Sequence, residues 1–380
     1  MRVLYIAPRY HTNQTAIVHG WQLHRDEVCF IVRATGPIED HRLLKPVMVP
    51  YASSFGRIEN LYQKIYSKDP FAHDIGLRYG YPNHKQIKDA ITTFQPDLVI
   101  LREKSVYSLC CYRICIRYCK QCHIVLYNQS PMYDSSASGR KDPGHWMIDH
   151  LLPVKRFTPV RGSKRDGNID KMAFFVPFIT ELHCSPAEKK YFSGNRINLL
   201  MIGRFEKRKN HVLMVNAFRK VHDQQRNAYL TIVGEACNCF EKECLAEVSK
   251  LIKAEGLEDS VRILPNLDAV EMDKVYRDTD LFILPSTGEP AAISPLEAMS
   301  YSIPAISSTG NGTADYIDDG VSGSLFMDND VNDLTRAILA IVSDRELLIR
   351  MGTSAYINIQ NNYLFDNYYR ALKDQGLLNE

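Results

Sequence analysis

Residues 281–306 read LFILPSTGEPAAISPLEAMSYSIPAI, and the order of residue types in this stretch decides the fold. Leu281, Phe282, Ile283 and Leu284 form a run of β-formers. Pro285, Ser286 and Gly288 break that run, and a helix resumes near Pro295. Two carboxylates, Glu289 and Glu297, bracket the strand-to-helix loop. In an open α/β sheet such a loop lies at the carboxyl end of a strand, where ligands bind.

The same alternation runs outward in both directions. Upstream, INLLMIG reads as a strand ending in Gly203, KNHVLMVNAFRKVH as an amphipathic helix, AYLTIVG and VRIL as strands, and LDAVEMDKVYRDT as a helix. Downstream come PAISS as a strand, VNDLTRAILAIVSD as a helix and a mostly helical tail over residues 345–377. The first half repeats the scheme: RVLYI and DEVCFIV are strands around a short helix, HKQIKDAITTF is a helix stopped by Pro96, and PDLVILR and HIVLYN are strands. MAFFVPF closes that half as a strand. Residues 33–83 read as irregular apart from a helix over 58–66. Alternation of this kind gives an α/β chain with two Rossmann-like, doubly wound sheets. The cleft between two such sheets is the default binding site. The loop PRYHTNQTA after the first strand has no glycine and does not fit a dinucleotide fingerprint, which disfavours a nicotinamide enzyme.

A length of 380 residues, with 45% hydrophobic and 24% charged residues, suits two globular domains. The formal charge of +2 hides an asymmetry, for residues 1–180 hold 25 Lys/Arg against 15 Asp/Glu and residues 181–380 hold 21 against 29. A basic half attracts anionic partners, phosphates or membrane headgroups among them; an unevenly charged solvated surface is the plainer reading. Much of the excess sits in residues 140–171, where Arg140, Lys141, Lys155, Arg156, Arg161, Lys164, Arg165 and Lys171 stand among four acids in what reads as loop. The apolar run VLYIA is stopped by Pro8 and Arg9, and no run is long and apolar enough to span a membrane. The expectation is a cytoplasmic protein, at most peripheral at the inner face of a membrane. Of ten cysteines, Cys111, Cys115 and Cys119 recur at helical spacing and read as reduced core residues. Cys237, Cys239 and Cys244 lack the paired spacing of a structural zinc site.

Three groups could carry chemistry. Arg204 and Lys209 share the loop after the INLLMIG strand and could clamp a diphosphate, the guanidinium as a planar fork and the ammonium as a point charge; a solvated basic run with Lys207 and Arg208 is the alternative. Ser294-Pro295-Leu296-Glu297 has the pattern of a capping box, with Ser294 as N-cap. In that reading Glu297 satisfies backbone donors; in the other it accepts hydrogen bonds from a vicinal diol, and the helix start faces a phosphate. Glu289 follows a turn and precedes Pro290, Ala291 and Ala292, small residues that let a ligand approach.

Taken together, these elements resemble a glycosyltransferase of the family-4 type, the retaining group with the two-Rossmann GT-B fold. Gly203-Arg204 with Lys209 matches the G-R-x₄-K element, and Glu289-x₇-Glu297 resembles the E-x₇-E signature. Gly312-Thr313-Ala314-Asp315-Tyr316-Ile317, with Gly320 and Gly323-Ser324-Leu325-Phe326, is similar to the closing segment. The resemblance implies a nucleotide-diphospho-sugar donor of UDP or GDP type, held by Arg204 and Lys209 at the diphosphate, Glu289 at the sugar and Glu297 at the ribose. Gly203 and the backbone of Ala291, Ala292, Ile293 and Ser294 would line phosphate and sugar, and Leu264 and Asn266 would lie by the base. It further implies retention without a required metal or cofactor, no nucleic-acid partner, and a lipid-linked or saccharide acceptor of the kind used in surface polysaccharide assembly. The domains it implies are residues 1–178 on the acceptor side, 179–355 for the donor, and a helix over 356–380 returning to the first domain. The first half departs from the pattern. Thr12-Asn13-Gln14-Thr15-Ala16 replaces a glycine pair, and Asn128 and Gln129 stand where relatives have a histidine. Asn13, Asn128 and Gln129 are thus the acceptor-side candidates, and an amide cannot act as a general base. The rival readings are a synthase acting on a soluble carbohydrate and a non-catalytic partner subunit of the same fold.

Overall fold

A computed structural model of the chain describes residues 1–10, 14–36, 39, 41–66, 75–119, 121–134, 150–163, 167–265 and 267–378. Asn13 and Asn266, with Arg140, Lys141, Lys164 and Arg165 of the basic stretch, lie outside the described residues. The chain divides into two compact units, Met1–Pro177 with Tyr368–Glu380, and Phe178–Asn367.

The first unit is built on strands β1 (Arg2–Ala7), β2 (Glu27–Val32), β3 (Val47–Met48), β4 (Leu98–Leu101), β5 (His123–Tyr127), β7 (Arg156–Thr158) and β9 (Ala173–Phe175), in the order β3-β2-β1-β4-β5-β7-β9. Every pairing in that sheet is parallel. Short strands β6 (Tyr133–Asp134) and β8 (Asn168–Ile169) pair antiparallel beside it. All four residues of β4 are buried, as in a sheet covered on both faces. The helix His84–Phe94 begins where the Asn83 side chain accepts from the Lys85 and Gln86 N–H groups and buries Ile87 and Ile91. It stops where Gln95 turns left-handed ahead of Pro96. Cys111, Cys115 and Cys119 are buried free thiols on and just beyond the helix Val106–Tyr118, packed with Leu109 and Ile114 as expected of small hydrophobes. The C-terminal segment completes this core: the Trp21 indole donates to the Tyr5 hydroxyl at 2.8 Å, which lies 3.0 Å from the Tyr368 hydroxyl.

Two expectations for this unit need correction. Within residues 33–83 the expected helix is present but begins earlier, as Ser53–Ile65, and two elements were missed, β3 and the helix Ile75–Tyr79. The loop expected over residues 140–171 contains a buried strand, β7, between β5 and β9. Arg156 made that strand look like surface, yet its guanidinium is buried with each of its three nitrogens bonded and four of its five N–H donors met. Nε binds Asp170 at 2.8 Å, Nη1 binds the Asn128 side-chain oxygen and the Ser130 carbonyl, and Nη2 binds the Pro131 carbonyl.

The second unit is a six-stranded parallel sheet of β10 (Ile197–Ile202), β11 (Ala228–Val233), β12 (Val261–Leu264), β13 (Leu281–Leu284), β14 (Ala305–Ser308) and β15 (Gly323–Phe326), in the order β12-β11-β10-β13-β14-β15. The order reverses between β10 and β13, so the loops leaving these two strands flank the topological switch point. The helix His211–Gln224 packs Met214, Val215, Phe218 and Val221 into the core under β10, and Leu334, Ile338 and Ile341 of the helix Val331–Val342 join them. A helix not anticipated in the sequence, Cys239–Ala254, begins in a capping box of Asn238 and Glu241.

Candidate functional site

The loop after β10 opens with Gly203 and closes with the short 3₁₀ turn Lys207–Lys209. At Gly203 a Cβ would lie 3.1 Å from Cδ of Lys209 and 3.2 Å from its Cγ, tighter than ordinary van der Waals contact. The lysine stem therefore lies over the glycine and carries Nζ toward the neighbouring strand end. There it meets the Glu289 carboxylate, at 2.5 Å from Oε2. Arg208 reaches the same oxygen through Nη1 and binds Glu206 through Nε at 2.9 Å. Arg204 pairs with Glu206 and, at 3.1 Å, with Glu241. Three cations and three carboxylates thus alternate along the mouth of the switch point. Arg204 is the most exposed member of this chain, with 56% of its side chain accessible, whereas Glu241 (4%) at one end and Glu289 (7%) and Lys209 (14%) at the other are buried.

The loop after β13 is held by the segment after β14. The Gly312 N–H donates to the Glu289 carbonyl, and the Thr287 N–H to the Arg208 carbonyl, which ties the two loops together. Ala292 is gripped from both sides: its N–H donates to Thr313 Oγ1 at 3.2 Å, and Thr313 Oγ1 donates back to the Ala292 carbonyl at 2.8 Å. Of the backbone expected to line a ligand, the Ala292 N–H is therefore spent within the protein. Ala291 and Ala292 are buried, while Ile293 and Ser294 are half-buried.

The capping-box expectation at Ser294 does not hold. Ile293 is the N-cap of the helix Ser294–Met299, and no side chain caps it. Glu297 turns to a different partner, the Tyr276 hydroxyl, which donates to Oε2 at 3.0 Å. Burial raises the Glu297 pKa above the usual carboxylate range, against the lowering effect of the Tyr276 bond. A carboxylate so placed has acceptor capacity left for further donors. Leu264 ends β12, and its carbonyl accepts from the Gly234 N–H at 3.1 Å.

Sequence reading had not assigned site roles to Arg208, Glu206, Glu241, Tyr276 and Thr313. Arg208 and Glu206 stood in an apparently solvated basic run, and nothing in local spacing shows that Glu241 and Tyr276, on other helices, reach Arg204 and Glu297. In the first unit, the Asn128 side-chain oxygen is engaged by Arg156 and by the Ser130 N–H, and the Gln129 amide donates to the Tyr127 hydroxyl at 3.3 Å. Two Asp-x-Asp triplets have structural duties. Asp280 accepts from the Phe192 and Asn198 N–H groups, Asp328 accepts from Thr287, and Asp330 caps the helix Val331–Val342. Among the described residues, no three His, Cys, Asp or Glu side chains cluster as metal ligands.

Two α/β units with parallel sheets of this order constitute the GT-B glycosyltransferase fold. A glycosyltransferase from Rickettsia africae ESF-5 matches with a TM-score of 0.72 at 16% identity, covering 98% of this chain and 97% of that one. The Anabaena protein Alr3699/HepE, solved with UDP and glucose, gives 0.72 at 16% identity over 100% of both chains. Within the chain, residues 187–357 carry the pattern of the family Glycosyl transferases group 1. A D-inositol 3-phosphate glycosyltransferase of Corynebacterium kroppenstedtii is 27% identical over 220 residues, 56% of this chain and 44% of its own length. The matched stretch spans a little under half the length of such curated relatives.

Proposed function

We propose that the protein is a retaining glycosyltransferase that moves a sugar from a UDP- or GDP-type nucleotide-diphospho-sugar to an acceptor hydroxyl, in the assembly of a surface polysaccharide or lipid-linked glycan. The observation that carries this reading is the Lys209–Glu289 pair across the β10/β13 switch point, a largely buried cation and carboxylate supplied by neighbouring strand ends. A donor whose diphosphate lies along Arg204 and Lys209 meets fixed positive charge where the leaving group develops negative charge as the anomeric C–O bond breaks. Glu289 then accepts hydrogen bonds from the sugar hydroxyls, and Glu297, steadied by Tyr276, accepts them from the ribose. Arg204 pairs with Glu206 and Glu241. The diphosphate competes with those carboxylates, and Arg204, being half-exposed, can change partner at little cost. With Arg204 and Lys209 as the groups that meet the diphosphate, the reaction is read as metal-independent. Asn128 and Gln129 are assigned to the acceptor side as hydrogen-bonding groups, and the basic first half as the side that meets a membrane.

A thermal-shift screen across UDP-, GDP-, ADP- and CMP-sugars tests the donor assignment, because a ligand at about 100 times its Kd adds roughly 2.7 kcal/mol to stability. A shift with one uridine or guanosine donor is expected, followed by transfer to a lipid-linked or saccharide acceptor. Absence of a shift with all four classes would remove the donor assignment. A shift without hydrolysis or transfer would turn the reading to a non-catalytic partner subunit.

A further inference from the structure

The helix Ser53–Ile65 in the first unit has two apolar faces where a globular helix needs one. Inward, Phe55 is buried and stacks edge-on with Tyr51 and Tyr81. Outward, Ile58, Leu61 and Ile65 are 53%, 61% and 64% exposed. Their spacing of three and four residues places them in one stripe, at about 100° per residue. Tyr66, 48% exposed, stands just past the helix end with its ring 4.5 Å from Tyr62. Exposed Arg57 and Lys64 lie along one flank of the stripe, and Glu59, the helix's carboxylate, lies on the opposite flank and is half-buried. The segment leading into the helix has the same character, with Arg42, Leu43, Lys45, Val47 and Met48 all exposed.

We infer that this helix face docks on an anionic lipid surface, lying flat with Ile58, Leu61 and Ile65 in the headgroup boundary and Arg57 and Lys64 on the phosphates. The inference rests on the proposed lipid-linked acceptor for its biological sense and gives the membrane contact a definite surface. Charge complementarity selects the occupant: cations border the stripe, the acid faces away, and residues 1–180 carry ten more basic than acidic residues. Size argues against a second copy, for the stripe offers on the order of 300 Å² of apolar surface, whereas a stable dimer takes roughly 800 Å² from each partner. An interfacial helix needs no such area, since a few aliphatic side chains and a few basic ones add their separate contributions to one surface.

Cosedimentation of the full chain with vesicles of phosphatidylcholine alone, or of phosphatidylcholine with phosphatidylglycerol, tests this without any donor. The chain is expected to bind the anionic vesicles, weakly bind the neutral ones, and lose binding as salt rises to about 0.5 M. The triple variant Ile58→Ser/Leu61→Ser/Ile65→Ser should weaken anionic-vesicle binding by about tenfold or more, and Arg57→Glu/Lys64→Glu should abolish the preference for anionic lipid. Circular dichroism and the donor thermal shift of the same preparations show that both variants are folded and that donor binding is untouched. Failure here therefore stays separate from failure of the transferase reading. Wild-type binding in the triple variant, or no vesicle binding by the parent, overturns the proposal. A dimer in light scattering that the triple variant dissolves, without vesicle binding, overturns it in favour of a contact between copies.

Discussion

Lys209→Met tests the centre of the site, because it removes one charge and keeps nearly everything else. The stem that lies over Gly203 is retained by methionine, so packing at the glycine survives. What is lost is the contact of Nζ with Glu289, which is itself only 7% exposed. Removing one partner of a buried ion pair commonly costs about 3–5 kcal/mol because the other charge is stranded. Here Glu289 keeps Arg208 on the same oxygen, so the stranding is partial and the expected loss is about 1–3 kcal/mol. For a unit of this size that lowers Tm by roughly 3–10 °C, leaving a folded protein to assay. Transfer should suffer far more: loss of one preorganised positive group at the leaving diphosphate is worth about 10²–10³ in kcat. Calorimetry and donor turnover on the same preparation separate the two effects. Turnover within about threefold of the parent, in a variant whose Tm falls as expected, would show that Lys209 braces Glu289 and does nothing for the leaving group.

Three further outcomes follow from the geometry. Tyr276→Phe deletes the donor to Glu297 at a cost of about 1–3 kcal/mol, and should raise KM for the donor severalfold with kcat little changed; an unaltered KM in steady-state kinetics would detach Glu297 from the ribose. Arg156→Met leaves the Ser130 and Pro131 carbonyls without their donor, whereas Asp170 is partly exposed, so it should cost about 1–3 kcal/mol by denaturant unfolding while the donor-induced thermal shift persists. Burial, set against a Gly203 backbone bond, lowers the His211 pKa from 6.5 to about 4. The unfolded chain then binds the extra proton between these values, so this residue's contribution to stability is complete above pH 6.5 and falls by about 3 kcal/mol as pH drops toward 4. Asp280 works in the opposite direction, since burial raises it from 3.8 to about 6 and stability from it grows on acidification. The His211→Phe variant should therefore gain stability relative to the parent as pH falls from 6.5 to 4, by up to about 3 kcal/mol; parallel pH profiles would refute the assignment.

What was legible in the sequence followed from period and punctuation. LFIL broken by Pro285 and Gly288, and HKQIKDAITTF bounded by Asn83 and Pro96, are local signals, and the strands and helix appear where those signals stand. The same local logic put Lys209 and Glu289 on separate loops, and only sheet order places those loops side by side at the switch point. Long-range pairing defeated the reading elsewhere. Arg156 reads as loop because a guanidinium in a strand is costly, and the structure offsets that cost with Asp170, Asn128 and two carbonyls that sequence spacing does not bring together. Glu297 reads as a capping residue because Ser294-x-x-Glu is a local pattern. Tyr276, 21 residues earlier on another helix, takes that carboxylate instead, which frees it from helix-start duty and holds it beside the loop it was expected to serve. The two errors share a cause: a polar side chain inside a fold takes its partner from tertiary packing, and a local motif prevails only where packing offers nothing better. The Glu206–Arg208–Glu289–Lys209 chain shows the converse, since there local sequence proximity and strand order cooperate, and the charges most open to a diphosphate are those least committed by burial.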